Sequence, residues 1–290
     1  REHAALLVPI ARALLWQQAN APTGPQVAAL ERLACAGDAD AARRLREPVP
    51  GGEGVPEGVE HLHARARLGD AQAVATLRRL AEQGSRGERA AAFGALRRVG
   101  AADIAPAVAL ALRDPDPAVR LAGLEAAKAI DARPLADALR RLLGDRILLV
   151  RIEAAAVLER TGDAEALTLL RAALESEFVD ARLAAARGLA RTTDTTWQPV
   201  ARTLLANPDG LFRIDAAALL LPVDPDRSLP VLRDALASPN AVVRAAAVRV
   251  LLEHPAADLA LVRPLLRDPS PSVQLAVAGH LVGPPSRCTE

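Results

Sequence analysis

Residues 114–130 read DPDPAVRLAGLEAAKAI, and this stretch decides the fold. Its arginine, Arg120, has counterparts at Arg89, Arg151, Arg182, Arg213 and Arg244, with Gln274 closing the series. The first five steps are 31 residues each and the last is 30. A fixed period of roughly 20–50 residues marks stacked supersecondary units, none of which buries its apolar face alone. Asp116-Pro117 and Ser270-Pro271 set a capping side chain directly before a proline at the first helical position, and Asp209 and Asn240 hold the same slot.

Two apolar ladders keep the same period. Seven places after the arginine stand Leu96, Ala127, Leu158, Leu189, Leu220, Leu251 and Leu281. Eight places before it stand Leu112, Leu143, Leu174, Leu205, Leu236 and Leu266. Each ladder is expected to be one helix's buried stripe, continued from unit to unit. Gly69, Gly100 and Gly162, with Asp70, Asp163 and Asp194, mark the turn inside a unit, because glycine accepts the left-handed end of a helix and aspartate caps the next. The spacing predicts a first helix of about thirteen residues and a second of about eleven, close to the usual mean.

Working outward, the N-terminal part is less regular. Helices are expected over 4–19, 26–36 and 39–47, followed by the loop Pro48–Gly58, PVPGGEGVPEG, with four glycines and no apolar period. The chain therefore divides into an N-terminal helical segment with a Pro/Gly-rich loop, 1–57, and a repeat array with a C-terminal half-repeat, 58–290. The apolar run Ala4–Trp16 is too short to span a bilayer and reads as an ordinary helix. With no Met in the sequence, Arg1 is not an initiator residue, so a processed, trimmed or partial chain is expected.

Composition narrows the classes further. The chain is 51% hydrophobic yet holds two Trp, three Phe and no Tyr, so its core must be built from Ala, Leu, Val and Ile. Such side chains permit close helix packing. The 36 basic and 35 acidic residues leave a formal charge of +1, which argues against a nucleic-acid partner. Cys35 and Cys288 form no CxxC, so neither a zinc site nor a disulfide framework is indicated. Two thiols do not determine the compartment; a cytoplasmic setting is slightly favoured over a periplasmic or secreted one.

The 31-residue two-helix unit, with Asp114-Pro115 three residues before Val119-Arg120, resembles a HEAT-like repeat, most closely the short bacterial type of the phycobilin lyases. The resemblance covers about residues 58–282. It implies an all-α fold, an α-solenoid of about six two-helix units. It does not imply one function, since this fold hosts scaffolds, lyases, DNA glycosylases and hydroxylases. The ladder arginine is absent at Gly58 and Gln274, the expected ends of the regular array, where capping units deviate.

The chemistry of those relatives is not legible here. A hydroxylase of this type needs repeated His-Glu pairs, and His3, His61, His63, His254 and His280 form none. His61 and His63 are two apart and face away from each other on a helix. A glycosylase needs an aromatic cleft; Trp197, near Asp194, shares its register with Ile104 and Leu135, both expected in the core. No GxxxxGK[ST], GxSxG or CxxCH occurs. No enzyme, no cofactor and no metal are expected.

Three sets of residues remain. The ladder arginines Arg89, Arg120, Arg151, Arg182, Arg213 and Arg244 are read as structural, bonded to turn groups such as Asp114, Asp145, Asn207 and Asp268. A second arginine stripe, Arg78, Arg140, Arg171, Arg202, Arg233 and Arg263, broken at Ala109, falls on the second helices and is read as a concave face for an acidic protein segment. Apolar residues where turns are usually polar, Ile147, Leu148, Phe178, Val179 and Leu211, are read as a partner-binding edge. The function expected is a non-catalytic scaffold or adaptor for a protein partner. A lyase-like or other ligand-handling subunit, a nucleic-acid-binding repeat protein and a module of a larger multidomain protein are the alternatives.

Overall fold

The structure, a computed structural model, describes residues 2–20, 26–47, 58–99, 104–253 and 259–282, the side chains of 2–7 apart. Helices account for all regular elements among them. The first five are α1 Glu2–Asn20, α2 Gln26–Cys35, α3 Ala39–Arg46, α4 Val59–Arg67 and α5 Ala71–Gln83. Then come α6 Arg86–Val99, α7 Ala105–Ala111, α8 Pro117–Ala127, α9 Ala136–Leu142, α10 Leu148–Leu158 and α11 Ala164–Ala173. The last are α12 Val179–Leu189, α13 Trp197–Leu204, α14 Gly210–Leu220, α15 Pro225–Ala235, α16 Ala241–Glu253, α17 Leu259–Val262 and α18 Pro271–Val282. The chain forms two compact units: unit 2 is Val74–Ser228, and unit 1 joins Arg1–Ala73 to Leu229–Glu290.

Unit 2 is the regular solenoid. Its arginine-bearing helices α6, α8, α10, α12 and α14 pack each on the next, and the shorter helices α7, α9, α11 and α13 pack against the helix that follows them. The expected ladder is its core: Leu96, Ala127, Leu158, Leu189 and Leu220 are all buried. Leu112, Leu143 and Leu174 are buried too, while Leu205 is half-buried. A third ladder allows the close stacking. Ala92, Gly123, Ala154, Ala185 and Ala216 hold one register, and the four alanines are 0% exposed. At Gly123 even a methyl group is too large, since a Cβ there would stand 2.6 Å from the Cβ of Ala111. Ile104, Leu135 and Trp197 all lie in the core, as their shared register predicts.

Three of the second helices, α7, α9 and α13, are shorter than the eleven or so residues expected. Helix α9 spans seven residues because Arg133–Leu135, around Pro134, forms a separate 3-10 turn. Proline lacks the N–H that would continue the α-helical ladder. Gly162 and Gly69 carry positive φ, 76° and 81°, and close helices as anticipated; Gly100 lies outside the described residues.

Unit 1 departs from the division at 57/58, because the N-terminal helices share one core with the last repeats. Helix α1 packs on α2 and α18. Leu15, Leu30 and Leu33 meet Val248, Leu252, Val273 and Val277 in a single apolar cluster. Trp16 donates its indole N–H to Asp38 at 3.1 Å, and Arg44 lies over its ring, 5.7 Å from the centroid. A terminal repeat has an apolar face with no successor, and these helices cover it. Gln274 shows the adaptation at one atom. Its Nε2 donates to the Asp268 carbonyl at 2.7 Å, as the ladder arginines do in their own turns. Its Oε1 accepts from Gln18 of α1 at 2.8 Å, which an arginine, having no acceptor, could not do. Cys35 is disulfide-bonded, which the separation of the two cysteines did not suggest; its partner is outside the described residues. The loop expected over 48–58 also falls there, Gly58 excepted. Among the described residues no helix is long and apolar enough to cross a membrane.

Candidate partner-binding edge

The ladder arginines build the turns between repeats. Arg120, Arg151, Arg182, Arg213 and Arg244 are half-buried, and each donates Nη1 to the carbonyl six residues earlier at 2.6–2.9 Å. Every turn carbonyl bonded this way is an acceptor that the following helix cannot satisfy. Three arginines are also clamped by an aspartate from the next turn: Arg89 by Asp114, Arg120 by Asp145 and Arg244 by Asp268, with contacts of 2.8–2.9 Å. Burial pushes the Asp114 carboxyl up, but Arg89, the Asp116 amide and Arg120 together outweigh it and lower it, and Asp268 is lowered first by Arg244. The positions equivalent to the clamps of Arg151, Arg182 and Arg213 are Ser176, Asn207 and Ser238, which cannot act as carboxylates.

The middle repeats differ at a second place. The residue before each arginine-bearing helix follows the period as Ser85, Asp116, Ile147, Phe178, Asp209, Asn240 and Ser270. Asp116 accepts from the Ala118 N–H at 2.8 Å, Asp209 from Leu211 at 2.8 Å and Asn240 from Val242 at 2.9 Å. Ile147 and Phe178 occupy the same cap position and give no side-chain cap. Replacing a capping side chain by an apolar one costs about 0.5–2 kcal/mol. These two are also exposed, 42% for Ile147 and 56% for Phe178, and Leu211 one repeat on is 39% exposed. Leu148 and Val179 behind them are half-buried. On the same edge, a cavity of about 450 Å³ opens between the turns of Arg113–Pro115 and Gly144–Arg146, floored by Leu112 and Leu142.

The second arginine stripe is not a row of uncompensated cations. Arg140 donates Nε to Asp163 at 3.0 Å, Arg171 to Asp194 at 2.6 Å and Arg202 to Asp224 at 2.9 Å. Each aspartate belongs to the turn inside the next repeat, so the pairing joins neighbouring units. Arg78, Arg233 and Arg263 are exposed; Arg233 and Arg263 have no ion pair among the described residues and belong to unit 1. Reading the stripe as a free concave face missed partners one repeat on. The constant separation of 22–23 residues was the available signal.

This pairing has a pH signature. Thr196, through its hydroxyl and amide, and then Arg171 lower the Asp194 carboxyl from 3.8 to about 2. Asp163 and Asp224 shift the same way, Asp163 first through the Ala166 amide and Asp224 first through Arg202. A depressed folded value means the stabilisation is complete above the unfolded value and is lost as pH falls through the folded one. Unit 2 should therefore lose stability between about pH 4 and pH 2. Asp194→Asn should flatten that decline in urea titrations across this range; an unchanged slope would count against the bonds that Asp194 accepts from Thr196 and Arg171.

Comparison with known proteins agrees with this architecture. The model of HEAT repeats matches residues 104–180 and 168–252, just over half of the chain. The chain belongs to the HEAT-repeat family. Among solved structures, the complex of CpcE and CpcF of phycocyanin lyase from a Nostoc species is similar at 20% identity, covering 75% of this chain and 97% of that one, with a TM-score of 0.51. Human deoxyhypusine hydroxylase in complex with glycerol is 20% identical over 87% of this chain and 98% of its own, with a TM-score of 0.39. An engineered protein is 18% identical over 99% of this chain and 91% of its own, with a TM-score of 0.38. No curated protein matches the chain.

Proposed function

We propose that this chain is a non-catalytic scaffold whose protein partner docks on the turn edge of unit 2, around Ile147, Phe178 and Leu211. One observation carries the reading: two consecutive repeats set an exposed apolar side chain in the slot where the flanking repeats have a capping aspartate. A cap is cheap to supply and its loss is unfavourable, so the apolar residues act against the stability of their own helices. A partner surface that covers them recovers free energy by removing apolar area from water. The arginine stripe is the weaker candidate. An acidic segment binding there would first have to displace Asp163, Asp194 and Asp224 from arginines they already hold.

The test separates docking from folding. Phe178→Asp restores the cap and should raise the stability of unit 2 by about 0.5–1 kcal/mol, read by urea denaturation. The same variant should lose proteins that wild type captures from its source lysate. Ile10→Asp serves as control, since Ile10 is 54% exposed and belongs to unit 1. The same proteins retained by Phe178→Asp and by wild type would overturn the proposal.

A further inference from the structure

Unit 1 holds a separate cavity of about 250 Å³, with Arg32 of α2, Val242 and Arg249 of α16, and Ser272, Leu275 and Ala276 of α18 in its lining. We propose that it binds a small amphipathic anion, a carboxylate on a short alkyl body. The carboxylate sits on Arg32 and Arg249, and the alkyl body lies along Val242, Leu275 and Ala276. This inference rests on unit 1 alone and is independent of the turn edge.

Arg32 is the main evidence. It is half-buried, and its guanidinium makes no hydrogen bond and no ion pair among the described residues. Glu31 offsets only part of the cost of burying this charge, so a half-buried guanidinium with no hydrogen bond among the described residues, on a residue that lines a cavity, points to a ligand that completes it. Its neighbour Glu31 is committed elsewhere: Arg67 donates to Oε1 at 2.6 Å, and His63 lies 3.5 Å from Oε2. The fold also makes room for this cation. A Cβ on Gly279 of α18 would lie 3.1 Å from Cζ, Nε and Nη1 of Arg32. Glycine inside a helix is less stable than alanine by roughly 0.5–1 kcal/mol, and here it is what admits the guanidinium.

The rest of the lining defines the ligand. Among the described residues, Arg249 brings a second exposed cation without an ion pair, and no acid lines the cavity. A cation is excluded by charge. At about 250 Å³ the cavity is small for a ligand pocket and suits a short ligand better than a nucleotide. A bare inorganic anion fills only the polar end and leaves the apolar wall wet. A carboxylate pairs with guanidinium groups through charge-assisted hydrogen bonds, and a short alkyl chain covers the wall.

Hexanoate, 1-hexanol and inorganic phosphate, titrated into the full chain by calorimetry, test this directly. Hexanoate should saturate one site, with hexanol and phosphate each about tenfold weaker or worse. Arg249→Gln, at an exposed position, should weaken hexanoate by about tenfold with an unchanged thermal midpoint. Gly279→Ala keeps both charges and improves helix propensity but displaces Arg32, and it too should weaken hexanoate. Failure of hexanoate to saturate in the millimolar range would overturn the assignment. Equal binding of hexanol or phosphate, or indifference to both variants, would do the same.

Discussion

Asp145→Ala is expected to destabilise unit 2 by about 2–4 kcal/mol. The side chain is 8% exposed and that of its partner Arg120 is 13% exposed. Arg120 donates Nη2 to one carboxylate oxygen at 2.9 Å, and its Nε lies 2.8 Å from the other. Asp145 also accepts from the Ile147 N–H at 2.9 Å, which shapes the turn. Truncation strands a half-buried guanidinium that keeps only its bonds to the Asp114 and Pro115 carbonyls. The reciprocal change is informative. Ser176 stands in its turn where Asp145 stands in the preceding one, 25 residues after Arg151, so Ser176→Asp should supply the missing clamp and add about 1 kcal/mol. Urea unfolding measures both, and amide exchange over residues 116–158 localises them. A cost below about 0.5 kcal/mol for Asp145→Ala would place the pair among ordinary surface contacts.

Leu158→Ala should cost about 2–5 kcal/mol, the range for truncating a fully buried leucine. Leu158 is 0% exposed at the end of α10, the helix that packs on α8, α9, α11 and α12. The removed atoms leave a cavity that a close-packed Ala/Leu core collapses into only partly. Because each repeat is held by its neighbours, a defect in the central helix of unit 2 should also break cooperativity, with exchange protection in α10 and α12 lost before that of α8. Leu281→Ala, at a half-buried position of the same ladder, should cost distinctly less. Equal losses at the two sites would show that ladder register, rather than burial, sets the energetics.

The sequence was most informative where the physics is local. The cap residues, the positive-φ glycines and the arginine bonds to carbonyls six residues earlier are short-range features, so a repeat that has them shows them without reference to its neighbours. The proposed partner-binding edge was half legible: the apolar identity of Ile147 and Phe178 was plain, but reading them as missing caps needed the geometry that Asp116 and Asp209 show at the same slot. The cross-repeat pairs of Arg140, Arg171 and Arg202 went unread because they depend on how far one unit is set from the next.

By itself the sequence determined the class of fold, the helix starts and the buried ladders, because a repeat stacks through nearest-neighbour contacts whose register is the period itself. Only the tertiary structure decided what the two ends of the chain do. Gln18 meets Gln274 across 256 residues, Arg32 settles beside Gly279, and α1 covers the face of α18. No periodic signal can announce such contacts. They arise because the last repeat must bury an apolar face for which the array supplies no further unit.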